Sequence, residues 1–258
     1  MRKIIAGLAV LIIAACATTP TQNLCHNQEY LKTMKDKAIA DFFREDLYTA
    51  LDDIMSVKKC GSKDPEVYYW LGRIYYARSE KEKAKENFKQ AIQLKPGYPE
   101  AQVSLADQFL EEGRYDDAIK NYMVAALNEQ YRGAYLAWNN MGYIYMQQGK
   151  YPEAEDALQR SLNLNRNCCW TYSNLGELQS KQKKYAEAYV NYVKAIQLCP
   201  RLARGHRLLG LEYNRQGKIS KACQEFSQAV KNSDPQSEDG KSAGEYLRLL
   251  NCSLEPGK

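Results

Sequence analysis

Along most of the chain, apolar residues recur at helical spacing in short segments, separated by polar turns. From Trp138 to Leu164 the pattern is clearest. Trp138, Met141, Gly142 and Tyr145 stand at i, i+3, i+4 and i+7, one face of an α-helix. After a turn at Gly149, Ala154, Leu158 and Ser161 line one face of a second helix. Gly142 and Ala154 carry almost no side chain, so the two backbones can approach closely while Trp138, Tyr145 and Leu158 fill the space around them. Such a hairpin cannot bury its apolar faces alone, which predicts copies of it on either side.

The copies are present. Leu105, Ala106, Phe109, Gly113, Ala118, Tyr122 and Ala125 form one; Leu71, Gly72, Tyr75, Ala84, Phe88, Ala91 and Pro96 form another. Downstream come Leu175, Gly176, Ala188, Tyr192, Ala195 and Pro200, then Leu209, Gly210, Tyr213, Gly217, Ala222, Phe226 and Ala229. The period is 34 residues from Ala84 to Ala118 and from Ala154 to Ala188 and Ala222, with a step of 36 between Ala118 and Ala154 that places a two-residue insertion near Arg132–Ala134. This alternation of large, small, aromatic and small positions closed by Pro is the tetratricopeptide-repeat pattern. A degenerate sixth copy precedes it, with Ala38 or Ala40, Phe42, Ala50, Ile54 and Val57, and no Gly at its turn. A terminal repeat is expected to be atypical because one face meets solvent.

After a turn at Asp234–Pro235, Tyr246, Leu249 and Leu250 share a face, and Ser242 with Glu245 reads as a capping box. The expected fold is all-α: a tetratricopeptide-repeat superhelical solenoid of five clear repeats and one degenerate repeat over residues 28–236. A C-terminal capping helix over 237–252 and a tail over 253–258 complete it. Unbroken repeats predict one array.

The N-terminus carries a different signal. Arg2 and Lys3 precede an apolar run from Ile4 to Ala15, too short to span a bilayer and shaped like a signal peptide over residues 1–15. Ile13-Ala14-Ala15-Cys16 resembles a bacterial lipobox. That resemblance implies cleavage before Cys16, acylation of that residue, and a lipid-anchored chain with a tether over 16–27. Ala17, in place of the Asp common in proteins retained at the inner membrane, implies the periplasmic face of the outer membrane. Cleavage takes the formal charge from +5 to +3. Acids and lysines alternate along solvated helix faces, as in SEKEKAKENFK, and no nucleic-acid-binding patch is seen.

Export also fits the cysteines, some of which should pair in an oxidising compartment. Cys25 with Cys60, Cys168 or Cys169 with Cys199, and Cys223 with Cys252 would each join the start of one helix to the end of a neighbour. One member of the Cys168/Cys169 pair is left over.

Catalytic chemistry finds little support. His26 and His206 are the two histidines, and no cluster has metal-ligand spacing. There is no Gly-rich phosphate loop or nucleophile elbow, and the adjacent Cys168-Cys169 is not a C-x-x-C redox motif. The expectation is a non-catalytic chain with no cofactor, metal or small-molecule substrate. Surface remains. In tetratricopeptide arrays the first helices of successive repeats line a concave groove, and by that resemblance its residues here are Tyr69, Arg73, Tyr76, Val103, Asp107, Leu110, Asn139, Tyr143, Met146 and Trp170. Ser173, Glu177, Arg204, Arg207 and Leu211 continue the row, and Arg215 adds to a basic C-terminal end. An apolar, aromatic concave face suits a peptide or amphipathic segment of a protein partner. The Lys/Asn carboxylate clamp of chaperone-binding repeats is absent.

A lipobox followed by about six such repeats resembles the type IV pilus pilotin family (PilF/PilW/Tgl). The resemblance is most specific over Asn128–Glu155, with its longer connection and the A-x-x-N-x-G pattern at Ala137, Asn140 and Gly142. It implies a partner in the pilus secretin, whose outer-membrane localisation and assembly these proteins promote. Two other readings stay open: an NlpI-like adaptor scaffolding cell-wall hydrolases or proteases, and a component of outer-membrane protein assembly.

Overall fold

The computed structural model describes residues 25–252. The expected signal peptide, Cys16 with the first part of its tether, and the tail at 253–258 lie outside the described residues. Within them the chain forms thirteen α-helices and no strand. They are α1 (Gln28–Phe43), α2 (Leu47–Lys59), α3 (Pro65–Ala77), α4 (Lys81–Leu94), α5 (Pro99–Glu111), α6 (Tyr115–Ala126), α7 (Ala134–Gln147), α8 (Tyr151–Leu164), α9 (Cys169–Lys181), α10 (Tyr185–Leu198), α11 (Ala203–Arg215), α12 (Ile219–Lys231) and α13 (Glu238–Leu249). Consecutive pairs make the predicted hairpins. The sequence pattern reads as one array, but the chain divides into two compact units at Leu94/Lys95. There Pro96 cannot continue a helix, and Gly97 takes a left-handed φ of 78°.

Local chemistry sets the helix boundaries. Asn27, Asp46, Asp64 and Ser237 each accept a backbone N–H at a helix start, satisfying donors with no intrahelical partner. Pro65 and Pro99 open α3 and α5, where a missing N–H costs nothing. Within each hairpin the turn needs one residue in the left-handed region. These are Glu45, Ser79, Gly113, Gly149, Lys183 and Gly217, at steps of 34, 34, 36, 34 and 34. Glycine holds half of these positions, so glycine alone does not reveal the first turn, which Glu45 makes with φ 65°.

Small-against-large packing joins the helices of a hairpin. A Cβ on Gly142 would lie 2.6 Å from Leu158 Cγ, and one on Gly176 would lie 2.5 Å from the Tyr192 ring. Gly72 and Gly210 meet Phe88 and Phe226 in the same way. In the first unit, Ala38, Ala50, Ile54, Val57, Val67, Leu71 and Ile74 form the core. At the far end of the second unit, Leu208, Leu209, Phe226, Ala243 and Leu247 bring α13 onto α11 and α12, with Phe226 and Tyr246 stacked at 4.9 Å. Ser237, rather than Ser242, caps α13: the Asp234 carbonyl and side chain fold the preceding turn and set the helix start earlier than the capping-box reading placed it. No helix among the described residues is long and apolar enough to cross a membrane.

Candidate partner-binding surface

In the first unit the expected groove residues lie on α3. Tyr69 is buried, packed edge-on against Trp70 at 5.4 Å and tilted against Phe88 at 6.1 Å. Its hydroxyl accepts a hydrogen bond from Arg73 Nη1 at 2.8 Å. Arg73 is half-buried among aromatic rings, and Tyr76 one turn on is exposed.

In the second unit, Val103 and Leu110 on α5 are partly exposed. Asp107 between them is engaged. Tyr122, wholly buried on α6, donates its hydroxyl proton to Asp107 Oδ1. Burial first, and the negative charge of Asp107 second, push the Tyr122 phenol far above its ordinary pKa, so it stays a neutral donor. Asn140 Nδ2 donates to the Tyr122 hydroxyl at 3.2 Å. Asn139 Nδ2 donates to Asn140 Oδ1 at 3.0 Å, and Asn174 Nδ2 donates to Asn139 Oδ1 at 2.9 Å. A polar ladder therefore runs from α5 through α6 and α7 to α9, fixing the register of successive repeats. Asn139 is a rung of that ladder.

Two further expectations need correction. Met146 packs inward with Ala154, Leu158 and Leu178, because the first helix of the next repeat covers it. Met146, Asn139 and Tyr69 thus support the surface from beneath rather than line it. The basic C-terminal end is also neutralised. Arg204 meets Glu177, Arg207 meets Asp239 and Arg215 meets Glu212, each at 2.6 Å. The spacing of the arginines was legible, but their acidic partners come from other turns and helices.

What remains open to a partner in the second unit centres on α7, α9 and α11. Tyr143 is half-buried, and burial raises its phenol pKa. The Arg204 guanidinium lies 5.1 Å from its ring while bridging to Glu177, so side chains from three first helices meet. Beside them Trp170 is 49% exposed and borders a cleft of about 560 Å³ whose other walls include Pro200, Leu202, Arg204 and Asn232. The edge of that cleft is held by Cys169 and Cys199, bonded with Cα atoms 6.0 Å apart. Cys25 is bonded to Cys60 and Cys223 to Cys252, and Cys168 is a buried free thiol. Among the described residues no three His, Cys, Asp or Glu side chains converge as metal ligands would.

Residues 26–257 match the family model described as Cilia and flagella-associated protein 70 C-terminal domain, a tetratricopeptide-repeat family. The chain belongs to this family. Among solved structures its fold is similar to that of PilF from Pseudomonas aeruginosa, at 18% identity and a TM-score of 0.70, over 84% of this chain and 97% of that one. PilW, described as a widely conserved type IV pilus biogenesis factor, has a TM-score of 0.70 at 22% identity, over 84% of this chain and 98% of that one. At such identities the likeness is one of fold. The DnaJ homolog subfamily C member 3 of Gallus gallus is 27% identical over 85 residues, 28% of this chain. The chain spans 17% and 12% of the length of the curated relatives it matches.

Two features of this family member escaped the sequence reading. The Tyr122–Asn140 rung depends on a hydroxyl whose value appears only once α6 and α7 are adjacent. The pairing of His206 is the other: Nδ1 lies 2.7 Å from Glu225 Oε2 on α12 and Nε2 2.9 Å from the Pro200 carbonyl in the connection before α11. The only sequence signal for either is a polar residue on an apolar helix face.

Proposed function

We propose that the chain is a lipid-anchored, periplasm-facing scaffold that captures a partner protein on its first-helix surfaces, and that this partner is a type IV pilus secretin. The observation that carries this reading is the extent of the fold match: PilF and PilW align over nearly their whole lengths, with four-fifths of this chain engaged. The segment Asn128–Glu155, whose sequence resembles the pilotins, forms α7, part of α8 and the connection before them. Acylated Cys16 would hold the scaffold at the outer membrane, each buried CH₂ contributing about 0.8 kcal/mol. Leu110, Tyr143 and Trp170 present apolar surface for the partner, while the ladder behind them keeps that surface rigid.

The reading is tested by replacing Leu110, Tyr143 and Trp170 together with Ser and measuring secretin co-purification from outer-membrane fractions. Loss of capture with an unchanged circular dichroism spectrum supports the proposal; undiminished capture moves the interface elsewhere. Cys16→Ser should move the folded chain out of the membrane fraction, and a variant that stays there would contradict the anchor.

A further inference from the structure

Arg204, Arg207 and Arg215, on α11, each have a carboxylate partner. Arg73, on α3 of the first unit, has none among the described residues. Its hydrogen bond goes to the neutral Tyr69 hydroxyl at 2.8 Å. Instead of an acid it meets rings: its guanidinium carbon lies 5.2 Å from the centroid of Phe42, 5.5 Å from Trp70 and 5.8 Å from Tyr69. A guanidinium stacked on aromatic faces is held by its faces and keeps its in-plane N–H donors for an acceptor.

The rings extend beyond the cation. Phe43 packs edge-on against Phe42 at 5.6 Å and Trp70 at 5.7 Å, yet is 69% exposed. The acids nearest these rings in the chain have other partners, although Asp41 Oδ2 is buried without a hydrogen bond. Asp41 accepts from Arg44 at 3.2 Å, Asp46 caps α2, and Asp64 and Glu66 share Lys35. A guanidinium with no carboxylate partner among the described residues, its Nη1 donating to Tyr69 and its Nε and Nη2 without a partner there, therefore sits beside a solvent-facing apolar ring. A single fork matches a carboxylate, which takes two parallel N–H bonds; a phosphate dianion would call for a second cation, and the adjacent Arg44 is paired.

We propose that Phe42, Phe43, Trp70 and Arg73, with buried Tyr69 holding Arg73 from beneath, form a docking site for an acidic peptide segment of the partner. Arg73 takes a Glu or Asp carboxylate, and Phe43 with Trp70 covers an adjacent aromatic or branched aliphatic side chain. This deepens the scaffold reading by giving the partner's chemistry, and rests on it, but does not require the partner to be a secretin.

The test is a peptide-display selection against the full chain. Recovered sequences should be enriched in Glu or Asp next to Phe, Trp, Leu or Ile. A recovered peptide, synthesised, should bind Arg73→Gln about tenfold or more weakly, the loss expected for a charge-assisted hydrogen bond, with partial recovery in Arg73→Lys. Phe43→Ser should weaken it too, at a position too exposed to threaten the fold. Exchanging Glu for Gln in the peptide reads the same contact with the protein untouched. Absence of acidic enrichment, or equal binding of the Glu and Gln peptides, overturns the site. Loss of selection with secretin capture intact overturns this site alone, whereas persistent selection without secretin capture overturns the pilotin reading alone.

Discussion

Gly176→Ala and Gly244→Ala are the same substitution in two helices of the second unit, and the packing gives them opposite signs. Both replace the poorest ordinary helix former with the best, a gain of about 0.8–1 kcal/mol if nothing else changes. At Gly244 on α13 nothing lies within 4 Å of the new Cβ, so the gain should appear as higher stability. At Gly176 the Cβ would fall 2.5 and 2.6 Å from two carbons of the Tyr192 ring and 3.1 Å from the Ala188 carbonyl oxygen. Tyr192 is 2% exposed and its ring is rigid, so relief requires α9 and α10 to separate. Overpacking of this kind costs about 1–3 kcal/mol. The net effect at Gly176 is a loss of up to about 2 kcal/mol, or up to about 8 °C in melting temperature for a chain of this size, so Gly176→Ala should be about 1–3 kcal/mol less stable than Gly244→Ala. Urea and thermal unfolding followed by far-UV circular dichroism measure both variants. A truncation of the ring, Tyr192→Leu, should make the added methyl at Gly176 less costly, so the two changes should be non-additive. If Gly176→Ala is as stable as Gly244→Ala, or Gly244→Ala is less stable than the parent, the close-approach account of these hairpins is wrong.

Three further outcomes follow from the interior. Tyr122→Phe keeps ring volume but leaves Asp107 and Asn140 without their shared hydroxyl, and should lower stability by about 1–3 kcal/mol, against near neutrality for the exposed Tyr48→Phe. Burial opposes charging of His206, but the Glu225 carboxylate, the Pro200 carbonyl and the negative charge of Glu225 outweigh it and raise its pKa. Its stabilising contribution is therefore complete below about pH 6.5, the ordinary value, and fades as pH rises through the raised one. Urea midpoints of the parent should exceed those of His206→Gln most at the acidic end of the range, and a constant gap would contradict the assignment. Reducing the disulfides, which close separations of 35, 30 and 29 residues, should cost up to about 3–4 kcal/mol each. Peptide mapping of the unreduced chain should find Cys168 as the alkylated thiol, and a melting temperature insensitive to complete reduction would contradict the pairing.

The repeat fold was legible because its determinants are periodic. Gly142 opposite Leu158, and Gly176 opposite Tyr192, recur at one interval, so each copy reinforces the reading of the next. The first hairpin was harder because Glu45 makes its turn without glycine, yet Ala38, Ala50 and Ile54 kept the core pattern. The surface was less legible. Groove positions carried over from a repeat pattern say which helix face a residue occupies, but not how deeply the next repeat covers it. Leu178 covers Met146, and Asn174 draws Asn139 into the ladder. Ion pairs were hidden for the same reason: Arg204 with Glu177 and Arg207 with Asp239 are 27 and 32 residues apart.

In-cell cross-linking, followed by purification of the chain from outer-membrane fractions and identification of what accompanies it, tests the central claim most directly. The account predicts a secretin subunit, cross-linked through the surface that includes Tyr143 and Trp170, and fewer assembled secretin rings when the chain is deleted. Recovery of cell-wall hydrolases or a protease, with no secretin and unchanged rings, would contradict it and make the chain an envelope adaptor.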